Sequence, residues 1–440
     1  NPNSGINNLA VGSTRIGLFY AKFDNNGNFI WAKNIESNSI FEPRGIKTDS
    51  QGNLYIGANY ITTNDSIDFD PGSSTDFISS NGGYDFFITK LNSNGNYVWT
   101  KSIGGLGDDN ITDFEISNNG EIFISGSFNQ SVDFNPNSGN STLTSSGNSD
   151  VFILSLSNNC SFNWAKQFGN GSIETPRNMT INASNNIFIT GDYQGTTNFN
   201  NGNQSNNHSS SGQSDIFILK TDSQGNFIWS KSIGGMGIDS GDLIESDQFN
   251  NLVILGSFQF GVDFNTNPGT TNQLGAGSGT NAVFFLKVDS LGDYISASAI
   301  KGSNSSHQIT AMGLNVQPNG KICISGIHQG TTDFDPNSGI STYRSSGFGD
   351  GYIAEYNGLS NGILSSNLNT VIDIWPNPAS EKIFIKNTIG LISVRLIDNL
   401  GKLVYTGTEP EINISNLPHG QYFLIIKTNE GEHSSIVIKE

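Results

Sequence analysis

Residues 85–128 read DFFITKLNSNGNYVWTKSIGGLGDDNITDFEISNNGEIFISGSF. Short alternating apolar runs are separated by Asn-Gly turns at Asn94-Gly95 and Asn119-Gly120. Asn-Gly between alternating runs is the strongest short hairpin signal, because the tight turn needs positive φ. The opening phrase returns as DVFILSL from Asp150 and DIFILKT from Asp215. Weaker copies are GLFYAKF from Gly17, NAVFFLKV from Asn281 and DGYIAEY from Asp350. The copies lie 65 to 69 residues apart.

Each period accommodates four short strands. The second-strand phrase EIFISGSF has relatives NLYIGANY, NIFITGDY, NLVILGSF and KICISGIH, and Trp31, Trp99, Trp164 and Trp229 recur after the first phrase. Linkers such as VDFNPNSG lead to the next unit. A repeated unit of four antiparallel strands at this period is the pattern of a β-propeller blade. One such sheet cannot bury both faces alone, so each must pack on its neighbours. An open β-solenoid is the alternative, on a period long for that architecture. The fold class is all-β, with four-stranded blades followed by an immunoglobulin-like β-sandwich.

Composition agrees. Hydrophobic residues make up 35% and charged residues 14%, while Gly numbers 52 and Phe 29 against 3 Met. Gly and Asn serve turns, and Phe, Ile and Val suit pleated surfaces. The net charge is −18, and residues 372–440 hold 6 Lys/Arg against 8 Asp/Glu, so nearly all of it lies upstream. A nucleic-acid binder needs a basic face, and no Lys/Arg cluster exists here. An acidic surface favours solubility, repels anionic membranes and offers oxygens to calcium. No apolar run approaches the ~20 residues of a membrane helix. Cys160 falls in a predicted turn and Cys323 in a predicted strand, and both are expected as unpaired thiols.

Five linkers place two carboxyl or amide side chains at i and i+2: Asp68/Asp70, Asp133/Asn135, Asn198/Asn200, Asp263/Asn265 and Asp333/Asp335. Alternate residues of a strand share a face, so each pair can present two oxygens to one cation. Asp68, Asp70, Asp333 and Asp335 carry the most charge and are the candidate calcium ligands. Asx-turn capping is the competing reading, and the preferred one. Asp85, Asp150, Asp215 and Asp350 each open a strand, and recurrence in several units points to structure. Arg44 and Arg177 follow proline between blades and suit either a ligand or an ion pair. The histidines at 208, 307, 328, 419 and 433 have no HExxH spacing, and no G-x-S-x-G elbow precedes a helix. No catalytic residue and no cofactor site is assigned.

On the phrases quoted, residues 1–357 resemble the bacterial repeat family often described as seven-bladed β-propellers. Ser102–Asp109 (SIGGLGDD) and Ser232–Asp239 (SIGGMGID) match its Gly-Gly-x-x-x-Asp turn, while two other copies depart from it, with FEPR at Phe41 and ETPR at Glu174. The opening NPNSG matches linker pieces at Asn135–Gly139 and Asp335–Gly339, so the chain opens inside a repeat. The phasing predicts two strands of one blade, four full blades and at least three strands of another. Either the two ends complete one blade or further sequence lies upstream, and the second is the expectation. The resemblance implies a fold and leaves the ligand open.

After Gly362 the composition shifts, dividing the chain into a repeat lobe (1–362), a linker (363–371) and a terminal module (372–440) of six or seven predicted strands. The module resembles the type A C-terminal sorting domain of the type IX secretion system of Bacteroidetes. Pro376, Asn377 and Pro378 match its opening PNP. Gly401 and Lys402 match its hairpin, and Leu417, Gly420 and Tyr422 its L-x-x-G-x-Y. Lys439 matches its closing strand. The resemblance implies export, with the type IX machinery as partner and a location in the medium or on the outer-membrane surface of a Gram-negative bacterium. For the lobe, a non-catalytic binding or adhesion module with a glycan or protein ligand is the preferred expectation. A secreted glycan- or peptide-active hydrolase is the alternative.

Overall fold

The structure, a computed structural model, describes residues 9, 16–62, 65–170, 173–202, 204–267, 271–276, 281–302, 308–336, 339–347, 349–356, 374–376, 378–385, 391–398, 403–428 and 431–439. No helix occurs among them. The chain divides into two compact units, Asn1–Ser360 and Asn361–Glu440.

The first unit repeats one antiparallel sheet. Sheet one contains Ile40–Thr48, Leu54–Ile61, Asp85–Leu91 and Tyr97–Ile103, hydrogen-bonded in that order. Sheet two contains Asn110–Ile116, Ile122–Phe128, Asp150–Leu156 and Phe162–Phe168 in the same arrangement. Sheet three runs from Ile173–Ile181 through Ile187–Gln194 and Asp215–Thr221 to Phe227–Ile233. Sheet four runs from Ser240–Ser246 through Leu252–Gln259 and Asn281–Val288 to Tyr294–Gly302, and the linker hairpin Thr331–Asp333 with Thr342–Arg344 adds to its edge. A two-stranded piece, Ile16–Phe23 with Phe29–Ser37, precedes them. A three-stranded piece follows, with Gln308–Val316, Ile322–Gln329 and Asp350–Tyr356. Two strands, four complete sheets and three strands is the phasing the sequence predicts.

The central strands are buried on both faces because each sheet lies between two others. Phe86 packs forward with Ile111, Phe114 and Phe152 of sheet two, while its neighbour Phe87 packs backward with Leu18, Tyr20 and Ile35. Phe152 and Val151 repeat the division one sheet later, as do Phe217 and Ile216. Alternation along one strand thus feeds two inter-sheet cores. The tryptophans occupy equivalent places. Trp31 pairs across the ladder with Lys22, Trp99 with Lys90, Trp164 with Ser155 and Trp229 with Lys220.

The first strands of successive sheets are tied to one another. Asp113 Oδ2 accepts from Asn178 Nδ2 at 2.6 Å and Met179 N at 3.2 Å. Asn178 Oδ1 accepts from Ile244 N at 2.9 Å, and Glu245 Oε2 from Val316 N at 2.8 Å. Burial pulls the Lys47 ammonium down, but the carboxylates of Asp113, Glu115 and Glu245 more than offset this and hold it above its ordinary value. The first strands of successive sheets thus lie side by side, each bonded to the next, from Lys47 with Glu115 at 2.5 Å onward. These are propeller-type blades.

Each of these strands carries a β-bulge. The unpaired residues are Arg44, Thr112, Arg177, Asp242 and Met312. The linkers are more ordered than the sequence predicts. Each forms a small hairpin, such as Ser131–Asp133 with Thr142–Thr144 or Thr196–Asn198 with Asn207–Ser209. Strands of three residues are too short for alternation to register.

The second unit has a sheet of Ile374–Trp375, Lys382–Ile385 and Glu411–Asn413. A second sheet is ordered Leu403–Gly407, Leu391–Asp398, Gly420–Thr428, Gly431–Lys439. Ile383, Ile385 and Ile412 of the first sheet share one core with Val394, Leu396, Leu424 and Val437 of the second. That is a small β-sandwich.

Candidate functional site

The recurrent aspartates of the DFF phrase do not face solvent. Asp85, Asp150 and Asp215 are buried at the start of the third strand of their sheets. One oxygen of each accepts a backbone N–H four residues upstream: Asp85 from Asn81 at 2.9 Å, Asp150 from Ser146 at 3.1 Å, Asp215 from Ser211 at 3.0 Å. The other oxygen, Oδ1, is buried without a hydrogen-bond partner in all three. Asp350 accepts from Ser346 N in the same way, at 2.9 Å.

Each buried aspartate has an acidic companion from the first strand of the next sheet or the turn before it. Asp109 and Asp239, the acids ending the two Gly-Gly motifs, are fully buried. Asp109 accepts from Gly105 N at 2.6 Å and Asn129 N at 3.1 Å. Asp239 accepts from Gly235 N at 2.7 Å and Gln259 N at 3.0 Å. The copy that departs from the motif has Glu174, fully buried, accepting from the Thr197 hydroxyl. Glu174 lies 24 residues after Asp150, the offset that separates Asp85 from Asp109 and Asp215 from Asp239. Sequence reading passed it over because a glutamate after Phe-Gly-Asn-Gly does not look like the end of Gly-Gly-x-x-x-Asp. The constant offset was the available signal. Where the strand opens without aspartate, at Gly17 and Ala282, the companion place holds Phe41 and Ile309. The two acids therefore come and go as a unit.

Burial, with the companion's charge adding, pushes Asp85 up to about 7. Burial also pushes Asp109 up to about 6 and Glu174 to about 7. Asp150, Asp215 and Asp239 are raised for the same reason. Asp109 and Asp239 have both oxygens on backbone N–H groups and are the better hydrogen-bonded member of their pair.

The linker pairs are turn caps in geometry. Asp68 Oδ1 accepts from Asp70 N at 3.1 Å and Asp76 N at 2.8 Å. Asp333 Oδ1 accepts from Asp335 N at 3.1 Å and Ser341 N at 2.8 Å. Asp133, Asn198 and Asp263 do the same in their hairpins. Asp70 in turn accepts from Gly72 N at 2.7 Å. Among the described residues no group of three or more His, Cys, Asp or Glu is placed to hold a metal ion. Arg44 pairs with Glu42 at 2.6 Å on the surface. Arg177 pairs with Asp192 at 2.6 Å and lies 3.6 Å from Asp242. Cys160 and Cys323 are free thiols. Cys160 occupies a left-handed turn position (φ 63) that is glycine in sister hairpins such as that of Gly95, and burial pushes its thiol up to about 12.

In the second unit the sorting motifs meet at one end of the sandwich. Lys439 pairs with Gly420 on one side and bridges to Ala379, next to Pro378, on the other. Ala379 N donates to Ile438 O at 2.9 Å. Tyr422 is buried in the core and its hydroxyl donates to Pro418 O at 2.8 Å, while Leu417 packs on the same core. Pro376 and Pro378 are exposed. Asn377, Gly401 and Lys402 lie outside the described residues, as does the linker 363–371.

Residues 373–440 match the family described as the secretion system C-terminal sorting domain. An uncharacterized WD repeat-containing protein of Acanthamoeba polyphaga mimivirus is 24% identical over 232 residues. That stretch is 47% of this chain and only 17% of the relative's length. Among solved structures, the extracellular domain of a hybrid two-component system protein from B. thetaiotaomicron is 13% identical at a TM-score of 0.18. It covers 90% of this chain and 70% of that one. The BSP domain of a biofilm associated protein is 10% identical at a TM-score of 0.13, covering 91% and 96%. Neither score bears on the architecture, which rests on the strand pairing. No helix among the described residues is long and apolar enough to cross a membrane. The C-terminal unit is a type IX secretion sorting domain, and the chain that carries it is a repeat protein of propeller-type blades.

Proposed function

We propose that the repeat lobe is a non-catalytic binding or adhesion module, delivered to the cell surface or the medium by its sorting domain. The observation that carries the reading is the fate of the recurrent acids. Paired carboxyls with pKa values near neutrality are what a hydrolase needs. Here all three pairs are buried between sheets, out of a substrate's reach, and are used by the scaffold.

Two measurements test the proposal. The purified chain, fluorescently labelled, is expected to be retained on cells or insoluble polysaccharide without releasing reducing ends or peptides. Release of product that scales with protein concentration would instead establish the hydrolase. For delivery, residues 372–440 are fused to a fluorescent protein behind a signal peptide in a type IX-competent host. The reporter is expected outside the cell. Periplasmic retention equal to that of the tail-less reporter would overturn the delivery half.

A further inference from the structure

The sister blades show what the groove between two sheets normally contains. The lysine of the DFFITKL phrase leans across it and donates to a turn carbonyl of the next sheet. Lys22 Nζ reaches Ser93 O at 3.1 Å, Lys90 reaches Asn158 O at 3.1 Å and Lys220 reaches Ser290 O at 2.7 Å. Its stem and ammonium also cover aromatic faces, Lys90 over Tyr55 at 4.8 Å and Lys220 over Phe188 at 5.2 Å. The groove is plugged.

Sheet two breaks the pattern. Its residue at this place is Ser155, beside Trp164 across the ladder. Two neighbours depart with it. Glu121 stands where the sister sheets have Asn53, Asn186 and Asn251, and Asn163 where they have Val98 and Ile228. The three departures bond to one another. Ser155 Oγ donates to Glu121 Oε1 at 2.7 Å, Asn163 Nδ2 to the same oxygen at 3.1 Å and to Ser155 Oγ at 3.0 Å. Here a cleft of ≈ 600 Å³ opens, lined by Trp164, Phe162, Glu121, Asn163 and Asn119, with Gln224 from sheet three. That volume lies in the range of small-molecule sites. Trp164 Nε1 has no partner, as is true of Trp31 Nε1, whereas Trp229 Nε1 lies 3.3 Å from Ser290 O.

The chemistry of the lining selects a ligand class. Phe162 and Trp164 supply a small apolar part of a mainly polar lining, in which amides and a carboxylate supply donors and acceptors. No cation lines the cleft, so an anion gains nothing, and the polar rim penalises a purely apolar guest. A polyhydroxylated ring with an apolar C–H face satisfies both parts. We propose that the cleft between sheets two and three binds a neutral pyranose unit of a glycan, stacked on Trp164 and hydrogen-bonded by Glu121, Asn163 and Gln224. This rests on the reading of the lobe as a binding module and names its site and ligand.

The test uses the full chain on an array of neutral oligosaccharides, uronate-containing oligosaccharides and surface proteins, followed by titration of tryptophan fluorescence with the best neutral sugar. Two variants accompany the parent. Ser155→Lys places the lysine of the sister blades beside Trp164 and breaks the bonds of the Ser155 hydroxyl to Glu121 and Asn163, and Trp164→Ala removes the platform. The expected result is saturable binding of a neutral sugar that weakens at least tenfold in each variant, with the melting temperature of Ser155→Lys equal to or above the parent's. Neutral-sugar binding unaffected by Ser155→Lys, or retention of uronates or proteins alone, overturns the cleft assignment and leaves the binding module standing. Retention of nothing on the array overturns both.

Discussion

Buried carboxyl pairs make the lobe's stability depend on pH in an unusual direction. A carboxyl whose folded pKa lies above 3.8 keeps its proton after the unfolded chain has lost it. Its contribution is whole at low pH and is lost as pH rises through the folded value. For Asp85, Asp109 and Glu174 that window runs from about 4 to about 7. Each retained proton lowers the unfolding free energy by up to about 1.4 kcal/mol per pH unit inside it. Turn aspartates such as Asp49 and Asp247, held low by hydrogen bonds from Asn53 and Asn251 despite partial burial, act oppositely below about 4. The lobe is therefore expected to melt highest near pH 5 and measurably lower at pH 8. The combined variant Asp85→Asn, Asp150→Asn, Asp215→Asn keeps the neutral shape and should flatten that difference in a calorimetric pH series. The linker caps make a second prediction at this scale. Asn198 performs the same cap as Asp68 and Asp333 without charge. Asp68→Asn with Asp333→Asn should therefore leave melting in chelator unchanged, whereas Asp68→Ala should cost about 1 kcal/mol. A rise in the parent's melting temperature in millimolar calcium, absent from the double asparagine variant, would instead place a cation on those carboxylates. The strand-opening aspartates were legible as structural from recurrence alone. Their companions were half legible, because Asp109 and Asp239 sit in a motif while Glu174 performs the same duty in a different local sequence.

Among elements, the four-stranded sheets were legible because Asn-Gly turns and alternation mark both ends of each strand. The bulges were not, since an extra residue such as Thr112 or Met312 leaves no mark on an alternating pattern read one strand at a time. The inter-sheet lysines were hidden for a related reason. Their partners are carbonyls about 70 residues away, and a carbonyl has no sequence. Lys220 is nearly buried yet donates to Ser290 O and covers Phe188. Lys220→Met keeps the volume and removes the donor and the charge. It should destabilise the lobe by about 1–2 kcal/mol in denaturant titration, and Ser155→Lys should recover part of that at its own interface.

At the scale of the whole molecule, the two units have separate cores. Calorimetry of the full chain should show two unfolding transitions. Tyr422→Ala, which empties part of the second core, should lower one of them and leave the other in place. A single transition shifted as a whole would contradict separate cores. The sorting domain was legible as an ordered set of motifs. The ties between first strands were not legible, because pairs such as Lys47 with Glu115 join residues 68 apart in the chain.

The four blade strands of each complete sheet come from one contiguous stretch of chain, and sheet four alone is extended, by the hairpin Thr331–Asp333 with Thr342–Arg344 of the following unit. Closing such a sheet spans local connections, at modest entropic cost. A polypeptide that enters a compartment end-first can thus assemble one blade as soon as some 65 residues have emerged, each finished blade offering a ready face to the next.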